Sequence, residues 1–236
     1  MVSTQLRLFA TDAHQCSYFD DRQAVTWFAG PETGFDTELY QLLIDLGFRR
    51  SGEHIYRPHC PGCQDCVPLR VPAQDWRPRR NQRRAWNRLA DRLQLYPLPA
   101  RFNPVHFELY SKYIDSRHGD GDMAGSSPET YMRFLSAHWC KSRFVELRLG
   151  KDLLAVAVTD FLPQGLSAVY TFFDPALDHL SPGVVSVLWQ LQECRRLQLP
   201  YLYLGYWIAN CRKMAYKNQY RPFEAYINGG WERRER

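Results

Sequence analysis

The chain of 236 residues has no apolar run near the roughly 18 residues that a membrane-spanning helix needs. Its first ten residues carry neither the basic start nor the apolar stretch of a secretory signal. Both absences point to the cytoplasm. There is no Gly-x-Ser-x-Gly elbow to present a hydrolase serine, and no internal repeat or low-complexity tract beyond one arginine run. Seven cysteines are odd in number and too sparse for a disulfide framework; in a reducing compartment they stay thiols or become metal ligands. Acids are nearly missing over residues 77–92, where Arg77, Arg79, Arg80, Arg83, Arg84, Arg88 and Arg92 face Asp91 alone. That one segment accounts for the net charge of +5.

What is present reads as an ordinary globular protein, with 45% hydrophobic and 23% charged residues, enriched in aromatics at 14%. Leu39, Leu42, Leu43 and Leu46 follow the acidic turn Asp36-Thr37-Glu38 and stop at Gly47, which predicts an amphipathic helix, and a hairpin follows over 48–56. The proline-rich passage from Pro68 to Pro104 reads as the connection between a smaller cysteine-containing N-terminal lobe (residues 1–100) and a C-terminal lobe (residues 101–236). Beyond it the spacing predicts helices over 106–116 and 129–139, then strands over 143–149, 153–161 and 166–173 joined by hairpin turns. A helix opening at Ser181-Pro182-Gly183, with serine as its cap, and a buried strand over 199–204 complete the set. The fold class is therefore α+β, a mixed sheet flanked by helices. Its element order is that of the acyl-CoA N-acyltransferase fold, which brings an activated acyl group to an amine beside splayed central strands.

Three constellations carry chemistry. Cys60, Cys63 and Cys66 stand at the two-residue spacing of metal knuckles, with Cys16 as the fourth ligand and His14, His54 and His59 in reserve; spacing leaves zinc and iron–sulfur both open. The arginine run lacks the acids a solvated helix face would carry, and guanidinium pairs with phosphate, so it implies RNA bound through backbone charge, with Trp76 and Trp86 offering rings to an unstacked base. Tyr203, Tyr206, Arg212, Lys213, Tyr216 and Lys217 bring rings and cations together on either side of Gly205, which reads as a substrate-binding wall. The glycine-rich link from Arg117 to Met123 lacks the ligand register of a calcium loop.

Long ordered strings then carry a resemblance: His-Gln-Cys16-Ser-Tyr, Gly-Phe-Arg49-Arg50-Ser-Gly, Tyr56-Arg-Pro-His-Cys60-x-x-Cys63-x-x-Cys66-Val-Pro, Arg117-His-x-Asp-Gly-Asp-Met123, Ser167-Ala-Val-Tyr170-x-Phe-Phe-Asp174-Pro, and Tyr203-Leu-Gly-Tyr-Trp-Ile-x-x-Cys211-x-Lys-Met-x-Tyr-Lys217. They resemble the bacterial leucyl-transferase branch of the arginyl-tRNA–protein transferase family. The resemblance implies transfer of leucine from leucyl-tRNA to the α-amino group of proteins beginning with Asp or Glu, marking them for N-degron proteolysis. Arginyl transfer is the sister alternative. An acetyl-CoA-dependent N-acetyltransferase is the other, opposed by Asp178 where a pyrophosphate would sit. Partners are aminoacyl-tRNA and acceptor proteins, with no membrane and no DNA. The transfer itself needs no cofactor, while Cys16, Cys60, Cys63 and Cys66 are expected to hold zinc or an iron–sulfur cluster. Asp174 is the expected general base, Glu146 the second choice. Tyr170, Tyr203 and Tyr206 serve the oxyanion or the leucine pocket. Arg212, Lys213 and Lys217 take the acceptor's carboxylate, with Arg49 and Arg50 as the alternative. Arg77, Arg79, Arg80, Arg83, Arg84 and Arg88 take the tRNA acceptor stem. One departure, Ser181-Pro182-Gly183 in place of Ser-Leu-Gly, is expected to leave the helix start intact because proline suits a first turn.

Overall fold

An N-terminal sheet begins the chain, built from β1 (Leu6–Ala10), β4 (Thr26–Pro31), β6 (His54–Pro58) and β5 (Arg49–Ser51) in the order β1-β4-β6-β5, with a small ribbon of β2 (His14–Gln15) and β3 (Gln23–Ala24) beside it. The computed structural model describes residues 6–31, 34–118 and 125–235. The glycine-rich link at 119–124 lies outside the described residues. Helix α1 (Thr37–Asp45) starts where Asp36 accepts the Leu39 N–H at 2.7 Å, the capping bond expected of an acid at that position. Its buried face is Tyr40, Gln41, Leu43 and Ile44, whereas Leu42 and Leu46 are exposed. The predicted leucine stripe is thus rotated by one position, because Tyr40 fills more of the core than any leucine on the helix.

The second sheet has eight strands, in the order β14-β13-β7-β12-β11-β10-β9-β8. These are β7 (Val67–Pro72), β8 (Leu93–Pro99), β9 (Ser142–Leu149), β10 (Asp152–Leu162), β11 (Gly165–Phe173), β12 (Tyr201–Trp207), β13 (Phe223–Ile227) and β14 (Gly230–Arg234). The helices are α2 (Arg80–Asn87), α3 (Pro104–His118), α4 (Pro128–Leu135), α5 (Pro182–Arg196) and the one-turn α6 (Arg212–Ala215), with 3₁₀ turns at Pro175–Leu180 and Tyr216–Gln219. The architecture is the expected α+β mixed sheet flanked by helices. The passage read as a connection between lobes instead supplies β7, α2 and β8. A division at residue 100 therefore runs through this sheet, since β7 and β8 precede it and the other six strands follow.

Helix α5 and α2 cover one face, where Leu188 and Leu191 meet Leu69, Val71, Leu166 and Leu202, and Val185 meets Ala85, Leu89, Val145 and Leu147. On the other face α3 and α4 bury Tyr110, Ile114, Tyr131 and Leu135 against Phe144, Val156 and Phe172. A further cluster joins the two sheets, with Tyr40, Leu43, Ile44 and Ile55 against Leu162 and Tyr203. At that junction Arg50 and Asp160, both fully buried, form a two-pronged pair with Nε–Oδ2 and Nη2–Oδ1 at 2.6 Å, and Ser142 donates to Asp160 at 2.6 Å. Helix α5 does start at Pro182. However, Ser181 sits in the left-handed region at φ 58° and makes no side-chain capping bond, so its expected role as a serine cap is not the one it plays.

Candidate active site

Strands β11 and β12 run parallel but pair only over Gly165–Tyr201, Leu166–Leu202 and Ser167–Tyr203. Irregular register follows at once on both: β11 shifts against β10 at Val158/Thr159, and β12 shifts against β7 between Tyr203 and Gly205. Such bulges bend and twist a strand. Past them β11 continues to Phe173 and β12 to Trp207 without pairing with each other, leaving a wedge between the two strands.

Two cations enter this wedge. Arg49, from β5 in the other sheet, is 7% exposed and donates from Nη2 to the Ala168 carbonyl at 2.9 Å, while its Nη1 is inaccessible to solvent and has no hydrogen-bond partner among the described residues. Lys217, on the 3₁₀ turn after α6, is 8% exposed and donates from Nζ to the Tyr206 carbonyl at 2.8 Å. Gly205, at φ 80°, lies between them: a Cβ there would stand 3.5 Å from Arg49 Nε and 3.6 Å from Lys217 Nζ. A side chain at this position would both strain the backbone and crowd the cations. Neither cation pairs with a carboxylate among the described residues. Burial first, and the Arg49 charge second, bring the Lys217 ammonium down to about 7, against weaker opposing pulls from Cys211 and Cys66. An aromatic cluster lies on β11 where it has parted from β12: Tyr170 meets Phe134 and Tyr113 edge-on, with centroids at 5.4 and 6.3 Å, and its inaccessible hydroxyl has no partner among the described residues.

The remaining expected site residues divide. Asp174 ends β11, but it caps the following turn by accepting the Ala176 N–H at 3.0 Å and pairs with Lys112 at 2.9 Å. Burial pushes its carboxyl up, yet Lys112 and that N–H outweigh it and hold it below its usual value, which makes a poor proton acceptor for an amine. Glu146 lies on β9, two strands away from the wedge, and is consumed by His106 at 2.6 Å and Arg148 at 2.5 Å. Tyr203 belongs to the core, donating to Asp45 at 2.6 Å, and the Tyr206 hydroxyl is spent on the Gly47 and Tyr56 carbonyls. Of the group Arg212, Lys213 and Lys217, only Lys217 turns inward; Arg212, Lys213 and Tyr216 are exposed. Arg50, paired with Asp160, is structural. Arg49, carried only as an alternative, is what the fold delivers to the wedge; its signal was the Gly-Phe-Arg-Arg string, which spacing alone could not distinguish from a hairpin.

Beside the wedge stands the basic helix. Arg77, Arg79, Arg80, Arg83, Arg84 and Arg88 are all exposed, while Gln82, Ala85 and Leu89 turn inward. Gln82 donates to the Gln219 carbonyl at 3.3 Å, next to the Lys217 turn, and Arg88 donates to the His179 carbonyl at 2.6 Å, on the turn that continues β11. Helix α2 thus touches the extensions of both splayed strands. Arg221 adds to this face: its Nε and Nη1 have no partner, and burial followed by the Arg79 charge lowers its basicity. Trp76 is 2% exposed and Trp86 packs into the core, so neither presents a ring to a base as expected.

Cys16, Cys60, Cys63 and Cys66 are unpaired and half-buried. Burial first, then the neighbouring Cys60, Cys16 and Cys63, push the Cys66 thiol up to about 12, so the four lie within electrostatic reach of one another. Four thiols suit a soft metal or a cluster by donor chemistry. They are not drawn into a ligating arrangement: no three such groups are so placed among the described residues, Cys60 donates to the Val25 carbonyl at 3.7 Å, and Cys63 accepts from Arg22 at 3.6 Å. His59, held in reserve as a ligand, stacks on Trp27 with ring centroids 3.6 Å apart.

Comparison with known proteins follows the same lines. Residues 14–84 match the family model for the N terminus of arginine-tRNA-protein transferase and residues 105–227 that for its C terminus. An aspartate/glutamate leucyltransferase of Alcanivorax borkumensis is 53% identical over 96% of this chain and 93% of its own length. Proteins of the same name from Pseudomonas fluorescens and Pseudomonas aeruginosa are 49% and 48% identical, each over 96% of both chains. Among solved structures, L-PGS from Bacillus licheniformis superposes with a TM-score of 0.48 at 11% identity, covering 85% of this chain and 68% of that one. With both family models matched in order and relatives near half identity over almost the full length, this chain belongs to the arginine-tRNA-protein transferase family.

Proposed function

We propose that the protein is an aminoacyltransferase that moves leucine from leucyl-tRNA to the α-amino group of proteins beginning with Asp or Glu. The observation that carries this reading is the Arg49/Lys217 pair, two buried basic groups at the strand wedge without a carboxylate partner among the described residues. Burying charge without a counter-ion is costly, so the pair is built for an anion that arrives with a ligand. The side-chain carboxylate of an N-terminal Asp or Glu supplies it, and Arg49 Nη1 is the donor left for it. The names of the relatives agree with that acceptor. An apolar aromatic wall around Tyr170 suits a leucyl side chain better than an arginyl one, which would ask for an acid. Exposed arginines of α2 meet the tRNA backbone next to the wedge, and the reaction belongs in the cytoplasm, where charged tRNA is found; DNA has no part in it.

An aminoacyl ester is already activated, so the protein's task is positioning, a neutral amine, and donors for the developing oxyanion. Tyr170, on β11 and with a hydroxyl that has no partner among the described residues, is the proposed donor. No step requires a metal. Cys16, Cys60, Cys63 and Cys66 are the residues that would hold zinc or an iron–sulfur cluster, bound there through thiolates as part of the N-terminal lobe.

The test incubates purified protein with radiolabelled leucyl-tRNA or arginyl-tRNA and peptides beginning with Asp, Glu, Lys or Ala. Leucine is expected on the Asp and Glu peptides alone. Label on none of them sinks the reading, and label mainly from arginyl-tRNA moves the donor to arginine. Arg49→Met should raise KM for the Asp peptide about 10- to 100-fold, the loss of one charge-assisted hydrogen bond, with leucyl-tRNA affinity unchanged.

A further inference from the structure

Lys217 is more than a counter-charge. An ammonium carries three donors, yet the Lys217 Nζ finds one good acceptor, the Tyr206 carbonyl at 2.8 Å, and one weak one, the Met214 thioether at 3.6 Å. The charged or ionisable groups that act on it are Arg49 from β5, the Cys66 thiol just before β7 and the Cys211 thiol just before α6, and among the described residues no carboxylate pairs with it. The two leading influences, burial and Arg49, both favour the uncharged amine, and neither involves a thiol. A buried amine that has donors to spare and a second cation across Gly205 is disposed to take up a proton when an anion arrives.

We propose that Lys217 accepts the proton of the acceptor's α-ammonium group, and that the acceptor's own side-chain carboxylate, seated on Arg49, is what raises its proton affinity. This rests on the leucyl-transfer reading above. In the step, Lys217 Nζ takes one proton from the α-ammonium. The freed lone pair forms the C–N bond to the ester carbonyl carbon, and the carbonyl pair moves onto oxygen. Collapse of that intermediate breaks the bond to the ribose oxygen, which departs as a hydroxyl carrying a second proton from the attacking nitrogen. Lys217 then returns its proton to water. One ammonium and one ester become one amide, one hydroxyl and one released proton.

The carboxylate matters because it cancels the nearest like charge. With Arg49 unneutralised, Lys217 resists protonation; with an Asp or Glu side chain on Arg49, the resistance falls at the moment the ammonium is delivered. Specificity is then expressed in turnover as well as in binding, since an Asn or Gln acceptor leaves Arg49 uncompensated.

The experiment begins with wild-type protein shown to transfer leucine to an Asp peptide; failure at that stage falls on the function reading and not on Lys217. Rates are then followed from pH 5.5 to 9 for wild type, Lys217→Arg and Lys217→Met. Wild-type kcat/KM should rise through about pH 7, the value to which burial and Arg49 bring the lysine. Both variants should lose ~100-fold or more in kcat, and their rise should move up toward the free α-amine's ~8, because only acceptor already neutral can react. Binding of leucyl-tRNA and a cooperative melt should persist. Added methylamine should restore part of the rate to Lys217→Ala, which a purely structural lysine would not allow. A wild-type pH profile in Lys217→Arg overturns the proposal. So does an Asn peptide that matches the Asp peptide in kcat and differs only in KM, a comparison made on wild-type protein alone.

Discussion

Two neighbouring arginines of one short strand meet opposite fates, and the difference is what lies across from each. Arg50 finds Asp160 in a fully buried two-pronged pair supported by Ser142 and the Leu135 carbonyl. Arg49 finds only a carbonyl. A buried pair with every prong used is structural, whereas a buried cation with an unused prong is poised for a ligand. Removing one member of the first pair leaves the other charged and alone, so Arg50→Met should destabilise the fold by about 3–5 kcal/mol. The double variant Arg50→Met/Asp160→Leu should recover much of that loss. Urea melts of the three proteins check this; a double variant as unstable as the sum of its singles would mean that packing around Asp160, and not charge, holds the junction.

Helix α2 shows the same division along one element. Gln82, Ala85 and Leu89 hold it to the body of the protein, and its arginines are left to solvent, Arg83 and Arg88 donating to the Pro78 and His179 carbonyls. If they meet phosphates, each arginine removed should lower the slope of log affinity against log salt by about 0.7–0.9, so Arg80→Ala/Arg84→Ala should lose close to two such units in tRNA filter binding. Equal affinity losses at all salt concentrations would place the two arginines off the RNA path. This helix also marks the limit of what the sequence disclosed. Strands β9, β10 and β11 and helix α5 were legible because hairpin turns and a proline-led start punctuate them. The passage holding β7, α2 and β8 was not, because its prolines imitate a linker: Pro72 closes β7, while Pro97 and Pro99 sit in β8, the last strand in the sheet order, where a missing N–H is tolerated. At the site, Lys217 was legible from its crowded motif, but its burial and the arrival of Arg49 from a different sheet are tertiary facts. For Asp174 and Glu146 the sequence could not show the partners the fold gives them, Lys112 and His106, which leave neither carboxyl free in the wedge.

The whole molecule carries the cost of its wedge in its response to pH. Glu146 and Asp174 are raised by burial but lowered more by their cationic partners, so the stability they add is present above the ordinary carboxylate range and is lost as pH falls through their depressed values. Lys217 acts in another window. Its folded value near 7 lies below the ordinary 10.5, so between the two the unfolded chain binds more protons, and stability climbs as pH rises. At about 1.4 kcal/mol per pH unit, the fold below pH 7 forgoes on the order of 5 kcal/mol compared with strongly alkaline solution. Lys217→Met, which fits the same apolar slot without a charge to desolvate, should therefore melt higher than wild type at pH 6–7, with the gain shrinking steadily toward pH 10. Scanning calorimetry of both proteins across that range measures it. A variant that melts lower than wild type at pH 6 would mean that the Lys217 ammonium is stabilised in the folded protein, and with it the idea of an uncompensated cation pair in the wedge would fail.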